Sequence, residues 1–551
     1  IEIPDQVVLG HRRLSIVDLD ARANQPMKSR CGRFYLVFNG EIFNHPSLRK
    51  QLSQQGVAFQ TSSDTEVLLE GLALYGEAFI QELNGFFSFA LYDAELNELL
   101  LVRDRFGIKP LLFSHSESRL VFSSELKSLM CYPINKELDS IALNQFLQLT
   151  YIPSPRTILK SGKKLSPGHF IEIENKKVSI VKYYTFYPCK RSLDDYQSAQ
   201  LKVKDLVHKA VQKRLVSDVP LGTFLSGGVD SSIVSAVSAK YKSNLETFSI
   251  GFPDEPLFDE SRHAEKVAKH IGSKHHCFQL KNKKLFEHLD DFLEYLDEPM
   301  ADSSALNVFL LSQETKKHVT VSLSGDGADE LFSGYNKHQA LYFSLQQNWK
   351  TKLIKKYGRL SKVIPSSRNS KIGNLGRQLN KLQQGLHLNH QERYFKWASF
   401  MEQNMVQQLS NSFHDIKDEI HFEESEDLFN DFLFNDFNLV LENDMLRKVD
   451  LMSMSKSLEV RTPFLDHNLV EYVFSLPSEY KIDQKNRKKI LKDAFKNELP
   501  KESKSTTDKT ILDEIIRVDH AGEYGATRIY YGQIAVFGKD SKIGKTIQHM
   551  A

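Results

Sequence analysis

The sequence has few cysteines and no pattern that would tie them together. Cys31, Cys131, Cys189 and Cys277 are widely spaced and form no CxxC pair. This spacing argues against a disulfide framework and against a zinc site built from cysteine pairs. It favours a reducing cytosol as the compartment of the protein.

The chain also lacks a strong charge bias and any long apolar run. Its formal net charge is +2 over 551 residues, which provides no electrostatic footprint for nucleic acid. No stretch approaches the roughly 20 consecutive apolar residues of a transmembrane segment. The first residue is Ile1, without an initiator Met or a basic-then-apolar leader. We expect that either processing or an incomplete sequence has removed the true start.

The composition that remains is that of a globular protein, with 41% hydrophobic and 26% charged residues. A chain of this length exceeds one ordinary core and predicts two or three domains. Residues 1–185 contain short alternating runs such as RFYLVFN and FFSFALYD, which predict a mostly antiparallel β domain. One helical insert is predicted from Asp64, which we interpret as its N-cap.

A polar stretch at 186–205 is interpreted as a linker, and the pattern changes after it. Apolar runs then alternate with helical segments: GTFLS precedes 230–240, LETFSIGF precedes 259–272, HHCFQL precedes 283–296 and VTVSLS precedes 329–345. This alternation predicts an α/β domain with a doubly wound parallel sheet and sites at the carboxyl ends of its strands. Helical patterns dominate from 340 to 500, where the basic stretch 348–382 is interpreted as a solvated helix face.

The segment TFLSGGVDSS, residues 223–232, joins a predicted strand to a predicted helix through a glycine turn. Backbone N–H groups of such a turn and the helix dipole converge on an anion, for which phosphate is the obvious guest. The spacing differs from GxxxxGK[ST] and no lysine follows the glycines, which disfavours a kinase or a motor. The SGGxDSS pattern resembles the pyrophosphate-binding loop of ATP pyrophosphatases, which cleave ATP between the α- and β-phosphates.

A second glycine-rich acidic segment, VSLSGDGADELFSGY at 321–335, again follows a predicted strand and opens a helix. Asp230 and Asp329 therefore form a candidate Mg²⁺ site against the pyrophosphate, because hard oxygen ligands suit this ion. Asp326 lies where an acid could shape an acyl-adenylate pocket. Either metal-site aspartate alone would more often be a helix cap, whereas two such acids in one sheet favour a metal site.

The first half of the chain carries a different set of polar residues. Arg13 lies in GHRRLSIVD, Asn39, Gly40 and Glu41 lie in FNGEIFN, and Asp64 lies in SSDTEVLLE. Together these segments resemble the glutamine amidotransferase domain of the N-terminal-nucleophile type. The resemblance makes all five residues candidates for binding glutamine: an arginine fork suits the α-carboxylate and Asp64 suits the α-ammonium. Asn39 and Gly40 would form the oxyanion hole.

From residue 1 to about 500 the chain resembles the glutamine-dependent asparagine synthetases, with further matches in RDRFGIKPL, LDEPMADSSA and RKVDLMSMSKSLEVRTPFLDH. The resemblance implies an N-terminally truncated type 2 amidotransferase domain at 1–185 and an ATP pyrophosphatase domain at 206–503. It implies a reaction in which aspartate and ATP give β-aspartyl-AMP and pyrophosphate, followed by attack of ammonia that glutamine supplies. ATP and Mg²⁺ are the implied cofactors, and a homodimer is left open.

The resemblance also assigns residues to the synthetase site. Lys488 would steady the phosphates and the developing charge, and Asp326 is a second candidate catalytic residue of this site. Asp326 stands where some members of the family carry glutamate, so the resemblance leaves the exact acceptor carboxylate open. The residues that would bind ATP are Leu225, Ser226, Gly227, Gly228, Asp230, Ser231, Ile250, Ser324 and Gly325.

Two departures from the family pattern stand at the ends of the chain. The N-terminal cysteine nucleophile of such amidotransferases is missing, Cys31 is interpreted as a structural cysteine, and the chain as written is expected to use ammonia only. Residues 507–551 resemble the opening helix of the ferritin-like di-iron demethoxyubiquinone hydroxylases. Glu523 matches a carboxylate ligand there only as a remnant, and His520 and His549 are not expected to be ligands.

Three functions remain open from the sequence. The first is an ATP-dependent amide ligase, either an asparagine synthetase or a related amidotransferase acting on another carboxylate, such as a surface-polysaccharide or β-lactam-type ligase. The second is a di-iron hydroxylase, supported only by the last ~45 residues. The third is a truncated chain without activity.

Overall fold

The computed structural model describes residues 1–346 and 380–500, apart from 4–5, 118, 176, 187–190, 255–258, 381, 411–412 and 426. Most of the basic stretch and the whole tail after residue 500 lie outside the described residues. The expectations for Cys189, His520, Glu523 and His549 therefore also fall outside them.

The first half of the chain forms antiparallel sheets, as its alternating pattern predicts. Its strands are β1 (Glu2–Ile3), β2 (Val7–Val8), β3 (Met27–Lys28), β4 (Phe34–Ile42), β5 (Gly85–Asp93), β6 (Glu98–Arg103), β7 (Leu112–Ser116), β8 (Arg119–Ser123), β9 (Lys163–Lys164), β10 (His169–Glu174) and β11 (Lys177–Lys182). Its helices are α1 (His45–Gln54), α2 (Asp64–Tyr75), α3 (Leu126–Leu129) and α4 (Ser140–Leu149).

The largest sheet in this half has six strands in the order β11-β10-β6-β5-β4-β3. Strand β5 is buried over almost its whole length, because α1 and α2 contribute to an apolar cluster on one face and β7 and β10 to another cluster. Strands β4 and β5 pair with Gly40 opposite Phe87. This pairing fixes the position of the Asn39-Gly40-Glu41 segment next to the core.

Two expectations for this half were wrong in detail. The N-cap of α2 is Ser63, whose hydroxyl accepts a hydrogen bond from the Glu66 N–H, and Asp64 is the first helical residue. Cys31, expected to be structural, is exposed, and its only described polar contact is with the hydroxyl of Ser29 at 3.2 Å. An exposed turn before β4 does not need a cysteine for packing.

The second half alternates strands and helices. It begins with α5 (Tyr196–Arg214), β12 (Leu221–Phe224), α6 (Val229–Tyr241), β13 (Glu246–Gly251), α7 (Ser261–Ile271), β14 (Lys274–Gln279), α8 (Asn282–Glu287), α9 (Leu289–Tyr295), α10 (Ser304–Thr315), β15 (Val321–Leu323), α11 (Ala328–Phe332) and α12 (Asn336–Leu345). It continues with α13 (His390–Ala398), α14 (Gln403–Leu409), α15 (Ile416–Glu419), α16 (Leu428–Asp436), α17 (Arg447–Met454), β16 (Glu459–Arg461), α18 (His467–Ser475), α19 (Ser478–Lys481) and α20 (Lys489–Phe495).

The sheet of this half has the order β14-β13-β12-β15-β16, and every neighbouring pair is parallel. The chain moves outward from β12 through β13 to β14 and then returns to the other side of β12 at β15. The loops after β12 and β15 therefore leave the sheet on diverging paths, which opens a crevice where ligands of such sheets bind.

The polar stretch predicted as a linker contains the start of a packed helix. Helix α5 begins at Tyr196, and Ala199 and Val203 are fully buried against α18 and α20. Between α16 and α17 the backbone forms a ten-residue π-helix, Phe437–Leu446. Across the described residues, no helix combines the length and the apolar character needed to cross a membrane.

Candidate functional site

The loop after β12 has the form that the glycine turn predicts. The backbone N–H of Leu225 donates to the Phe248 carbonyl at 2.8 Å, which ties the loop to β13. Gly227 has a φ of +88°, and an added Cβ would lie 2.6 Å from the Ala264 nitrogen, so only glycine fits. The Ser226 N–H donates to the Ser231 hydroxyl at 3.2 Å. The loop is therefore closed on itself at the start of α6.

Helix α6 begins after Gly228 without a side-chain cap. Its first backbone N–H groups therefore lack a capping side chain, and they carry the positive end of the helix dipole. Ser231 on the first turn donates its hydroxyl to the Gly228 carbonyl at 3.2 Å. This end of α6 has the donors and the local charge to bind a phosphate group.

The loop after β15 lies directly against this first loop. A Cβ added at Gly325 would come within 2.9 Å of the Asp230 Cβ and the Ser231 nitrogen, which shows how closely the backbones approach. The Ser324 hydroxyl donates to Asp326 Oδ2 at 2.6 Å, and the Ser324 N–H donates to the Arg461 carbonyl on β16. Burial raises the pKa of Asp326 despite the hydrogen bond from Ser324.

Lys488 joins the two loops through their acids. Its Nζ lies 2.5 Å from Asp230 Oδ2 and 2.5 Å from Asp329 Oδ1. Burial raises the pKa of Asp230 to about 6, although Lys488 acts in the opposite direction. Burial by itself would lower the pKa of Lys488, but the two carboxylates raise it. The ammonium group therefore stays charged and bridges both acids.

The donor atoms here fit a divalent cation with oxygen ligands. Asp230 and Asp329 present carboxylates to one point, and Asp230 Oδ1 is buried without a hydrogen-bond partner. A buried oxygen without a partner is costly, and a hard cation beside a phosphate would satisfy it. The structure thus brings the two acids that the sequence analysis paired together with the lysine that it proposed separately.

Other predicted residues of this site lie around the two loops. Leu225 is fully buried in a small cluster with Ala264, Val267 and Ala268 on α7. Ile250 lies on β13, one strand away, in a separate apolar cluster with Phe309. The backbone hydrogen bond of Leu225 to Phe248 therefore places Leu225 at the start of the phosphate loop. Ile250 lies beside this loop on the neighbouring strand β13.

Sequence reasoning missed a second charged group, around Lys448. Its Nζ donates to Asp302 Oδ2 at 2.6 Å and to the Ser304 hydroxyl at 2.8 Å, and Asp302 and Asp326 both raise the pKa of Lys448. Asp444 lies nearby, and burial together with Asp302 raises its pKa to about 7. The segments LDEPMADSSA and RKVDLMSM contain Asp302 and Lys448, but nothing in their local pattern links the two residues.

The five predicted glutamine-site residues lie together in the first half. Arg13, Asn39, Gly40, Glu41 and Asp64 all line one cavity of about 1460 Å³. An added Cβ at Gly40 would lie 2.0 Å from the Phe86 carbonyl oxygen, so this position requires glycine. The side-chain amide of Asn39 donates to the Ser124 hydroxyl at 3.4 Å.

The charged members of this group are held by the backbone. Arg13 Nη2 donates to the carbonyls of Val17 at 2.7 Å and Asp18 at 2.6 Å. Asp64 Oδ2 accepts from the Ile42 N–H at 3.0 Å, and burial raises its pKa. These bonds hold the guanidinium and the carboxylate in fixed positions within the cavity wall.

Glu41 differs from the other four, because it also faces the second half. Its Oε1 lies 3.5 Å from Arg461 Nη2, and burial and the neighbouring Asp64 raise its pKa well above the ordinary range. Arg461 is completely buried on β16 and also bonds Glu459 at 2.7 Å. Glu41 is therefore part of the contact between the two halves.

The cavity continues from the first half into the second. Its wall includes Glu442 and Asn443 from the π-helix and Arg447 and Asp450 from α17, but none of residues 225–231. Buried ion pairs join the halves around it: Arg103–Glu442 at 2.9 Å, Lys109–Asp450 at 2.6 Å and Lys164–Glu298 at 2.8 Å. The π-helix places Glu442 and Asn443 in the cavity wall at this boundary.

Comparison with known protein families identifies a family for each half and for the tail. The asparagine synthase family matches residues 202–510, more than half of the chain, and the glutamine amidotransferase domain family matches residues 1–184. The chain belongs to the asparagine synthase family. The ubiquinone biosynthesis protein COQ7 family matches residues 510–551, so the resemblance of the tail is confirmed as well.

Relatives of this asparagine synthase family chain extend over most of its length. Asparagine synthetase [glutamine-hydrolyzing] 1 from Bacillus subtilis is 33% identical over 505 residues, covering 90% of this chain and 78% of that protein. A putative asparagine synthetase [glutamine-hydrolyzing] from Mycobacterium bovis is 32% identical, covering 90% and 77%. Amidase chyE from Penicillium rubens is 27% identical, covering 88% and 77%.

Proposed function

We propose that this protein is an ATP-dependent asparagine synthetase. In the first step, a β-carboxylate oxygen of aspartate attacks the α-phosphorus of ATP. The bond from that phosphorus to the bridging oxygen breaks, and pyrophosphate leaves. In the second step, ammonia attacks the acyl carbon of β-aspartyl-AMP, AMP leaves with the bond electrons, and the nitrogen loses a proton to give asparagine.

The observation that carries this proposal is the pair of short contacts from Lys488 to Asp230 and Asp329. These groups come from three separate segments and meet at the carboxyl ends of β12 and β15, where a doubly wound sheet binds its ligand. The N-terminus of α6, which has no side-chain cap, opens in the same loop and is suited to bind a phosphate. Family membership supports the use of ATP, because asparagine synthetases consume it.

Each residue then has a task in adenylation. The N–H groups between Ser226 and Ser231 would hold the departing pyrophosphate. Asp230 and Asp329 would hold Mg²⁺, which when bound neutralises charge on the phosphate oxygens. Lys488 would stabilise the charge that develops on the leaving group, since its ammonium is already placed between the two acids.

Asp326 is proposed to lie beside the aspartyl part of the acyl-adenylate. Its raised pKa suits a carboxyl that exchanges a proton during attack by ammonia. Leu225, Ile250, Ser324 and Gly325 complete the proposed ATP site through the loop backbones and the neighbouring strand.

The first half is proposed to bind glutamine. Arg13 would hold the α-carboxylate, Asp64 and Glu41 the α-ammonium, and Asn39 and Gly40 the oxyanion. The cavity that these residues share with α17 extends from the proposed glutamine site to the second half, and residues 225–231 are not part of its wall. The domain limits 1–185 and 206–503 belong to this proposal, with helix α5 from Tyr196 added to the second domain.

The proposal is tested by ATP–pyrophosphate exchange that depends on aspartate. We expect exchange with aspartate and none with glutamate or succinate, and we expect Asp329→Asn to reduce it at least ~100-fold by withdrawing a charged ligand. Asp205→Asn is the matched control, because Asp205 lies on α5 in an exposed ion pair with Lys209. Exchange with another carboxylate, or full exchange in Asp329→Asn, would contradict the proposal.

A further inference from the structure

A second group of metal-ligand side chains lies away from the sites described above, and we propose that it binds Zn²⁺. The group consists of Glu246, His276 and His318, whose nearest ligand atoms all lie within 4.8 Å of one another. We call it the Glu246 cluster. It is distinct from the Asp230–Asp329 acids and uses nitrogen as well as oxygen donors.

The geometry of the Glu246 cluster is already close to that of a bound ion. His276 Nε2 lies 2.8 Å from Glu246 Oε2, and His318 Nδ1 lies 3.9 Å from the same oxygen. Zinc with bonds of about 2.0–2.1 Å holds its ligand atoms roughly 3.3 Å apart in a tetrahedron. Side-chain shifts on the order of 1 Å therefore bring the three donors into coordination.

Packing restricts the two imidazoles to this arrangement. The ring centroids of His276 and His318 lie 4.2 Å apart, and each ring packs on Phe248, at 5.2 Å and 5.7 Å. Phe248 is fully buried in the centre of β13 and cannot turn away. The aromatic support reduces the rotamer freedom that the histidines would lose when they bind a metal.

The cluster lies on β13, on β14 and in the turn after α10, one to two strands away from the phosphate loop. Glu246 is the first residue of β13 and pairs with Gly222 of β12, whereas the phosphate loop follows the last residues of β12. His318 follows α10 and is exposed, so solvent and ions reach the site. A metal here would leave the proposed adenylation site untouched.

Two imidazoles and one carboxylate are the donors of many zinc sites that keep a position for water. Such a set prefers Zn²⁺ over Mg²⁺, because imidazole suits the softer ion. Lys274 competes with a metal ion for the Glu246 carboxylate, because its Nζ lies 3.5 Å from Glu246 Oε1. Its side chain is largely exposed, so it can move into solvent when the carboxylate binds the ion.

The test uses the full chain stripped of metal by a chelator and titrated with zinc chloride against a chromogenic zinc indicator. We expect a site whose affinity falls at least ~10-fold in Glu246→Gln, His276→Ala and His318→Ala, since even changes beside a ligand cost that much. His275→Ala is the matched control. His275 is the adjacent residue on β14, but it faces the other side of the sheet and contacts the hydroxyls of Thr247 and Ser249.

A second measurement separates loss of metal from loss of fold. The melting temperature of the unsubstituted chain should rise with zinc, because a ligand that binds the native state stabilises it, and that rise should disappear in His318→Ala. His318 is exposed, so this variant should melt like the unsubstituted chain without zinc. Unchanged affinity in all three variants, or equal loss in His275→Ala, would overturn the proposal.

Discussion

Gly334 is the residue at which a single methyl group should disable adenylation with little cost to the fold. An added Cβ would lie 1.6 Å from Asp329 Oδ1 and 2.2 Å from Lys488 Cε. Its backbone is not in the left-handed region, so alanine fits the local conformation and the conflict is purely steric. Gly334→Ala therefore pushes directly on the acid and the lysine that the proposed mechanism depends on.

The size of the effect follows from these distances. Ordinary contacts of a Cβ begin at about 3.4 Å, so the Asp329 carboxylate has to move by about 2 Å. The present distance of 2.5 Å to Lys488 Nζ cannot survive that displacement. A misplacement of about 1 Å in an active site can cost 10²-fold, so we expect exchange to fall at least ~100-fold. Overpacking of this kind costs about 1–3 kcal/mol of stability, which leaves the protein folded.

The assay is aspartate-dependent ATP–pyrophosphate exchange, together with urea unfolding of the same preparations. Gly10→Ala is the control, because an added Cβ at Gly10 meets nothing within 4 Å. It should leave both measurements unchanged. If Gly334→Ala retained the exchange rate of the unsubstituted chain, the Asp329–Lys488 contact would have no part in adenylation and our reasoning would be refuted.

Three other predictions concern charge. Burial raises the pKa of Glu330, whose Oε1 accepts a hydrogen bond from Tyr335, to about 8, so the folded state keeps a proton that the unfolded chain releases near pH 4.3. The contribution of Glu330 to the free energy of unfolding then falls as pH rises toward 8. The free energy of unfolding of Glu330→Gln, relative to the unsubstituted chain, should therefore increase between pH 5 and 8. A difference between the two proteins that stays constant over this range would contradict the prediction. Lys109→Met should lower that free energy by about 3–5 kcal/mol in urea by leaving Asp450 unpaired, and adding Asp450→Leu should restore most of it. Because the pKa of Asp230 is about 6, binding of magnesium pyrophosphate should weaken below about pH 6, where the carboxyl takes up a proton, and a flat profile in calorimetry would exclude Asp230 as a ligand.

The short-range features of both sites could be predicted from sequence. Gly227 follows from the need for close backbone approach in the glycine turn, whereas Gly40 follows from the resemblance of FNGEIFN to the amidotransferases. Period-2 and β-α patterns predict which sheet each residue belongs to. The parallel alternation also predicts that the loops after β12 and β15 emerge at the same edge. The boundary of α5 was not predicted, because its first turns are polar on the surface and only Ala199 and Val203 reach the core.

The sequence by itself therefore determined the two domain types, the phosphate turn and the identities of the polar residues. Only the tertiary structure decided that Lys488 lies between Asp230 and Asp329. It also decided that Glu41, which lines the cavity of the first half, pairs with Arg461 of the second half. The physical reason is range. Turn geometry and periodicity depend on neighbours within one or two turns of chain, whereas an ion pair between residues far apart in the chain, such as Lys488 and Asp230 at a separation of 258 residues, exists only after packing has buried both partners.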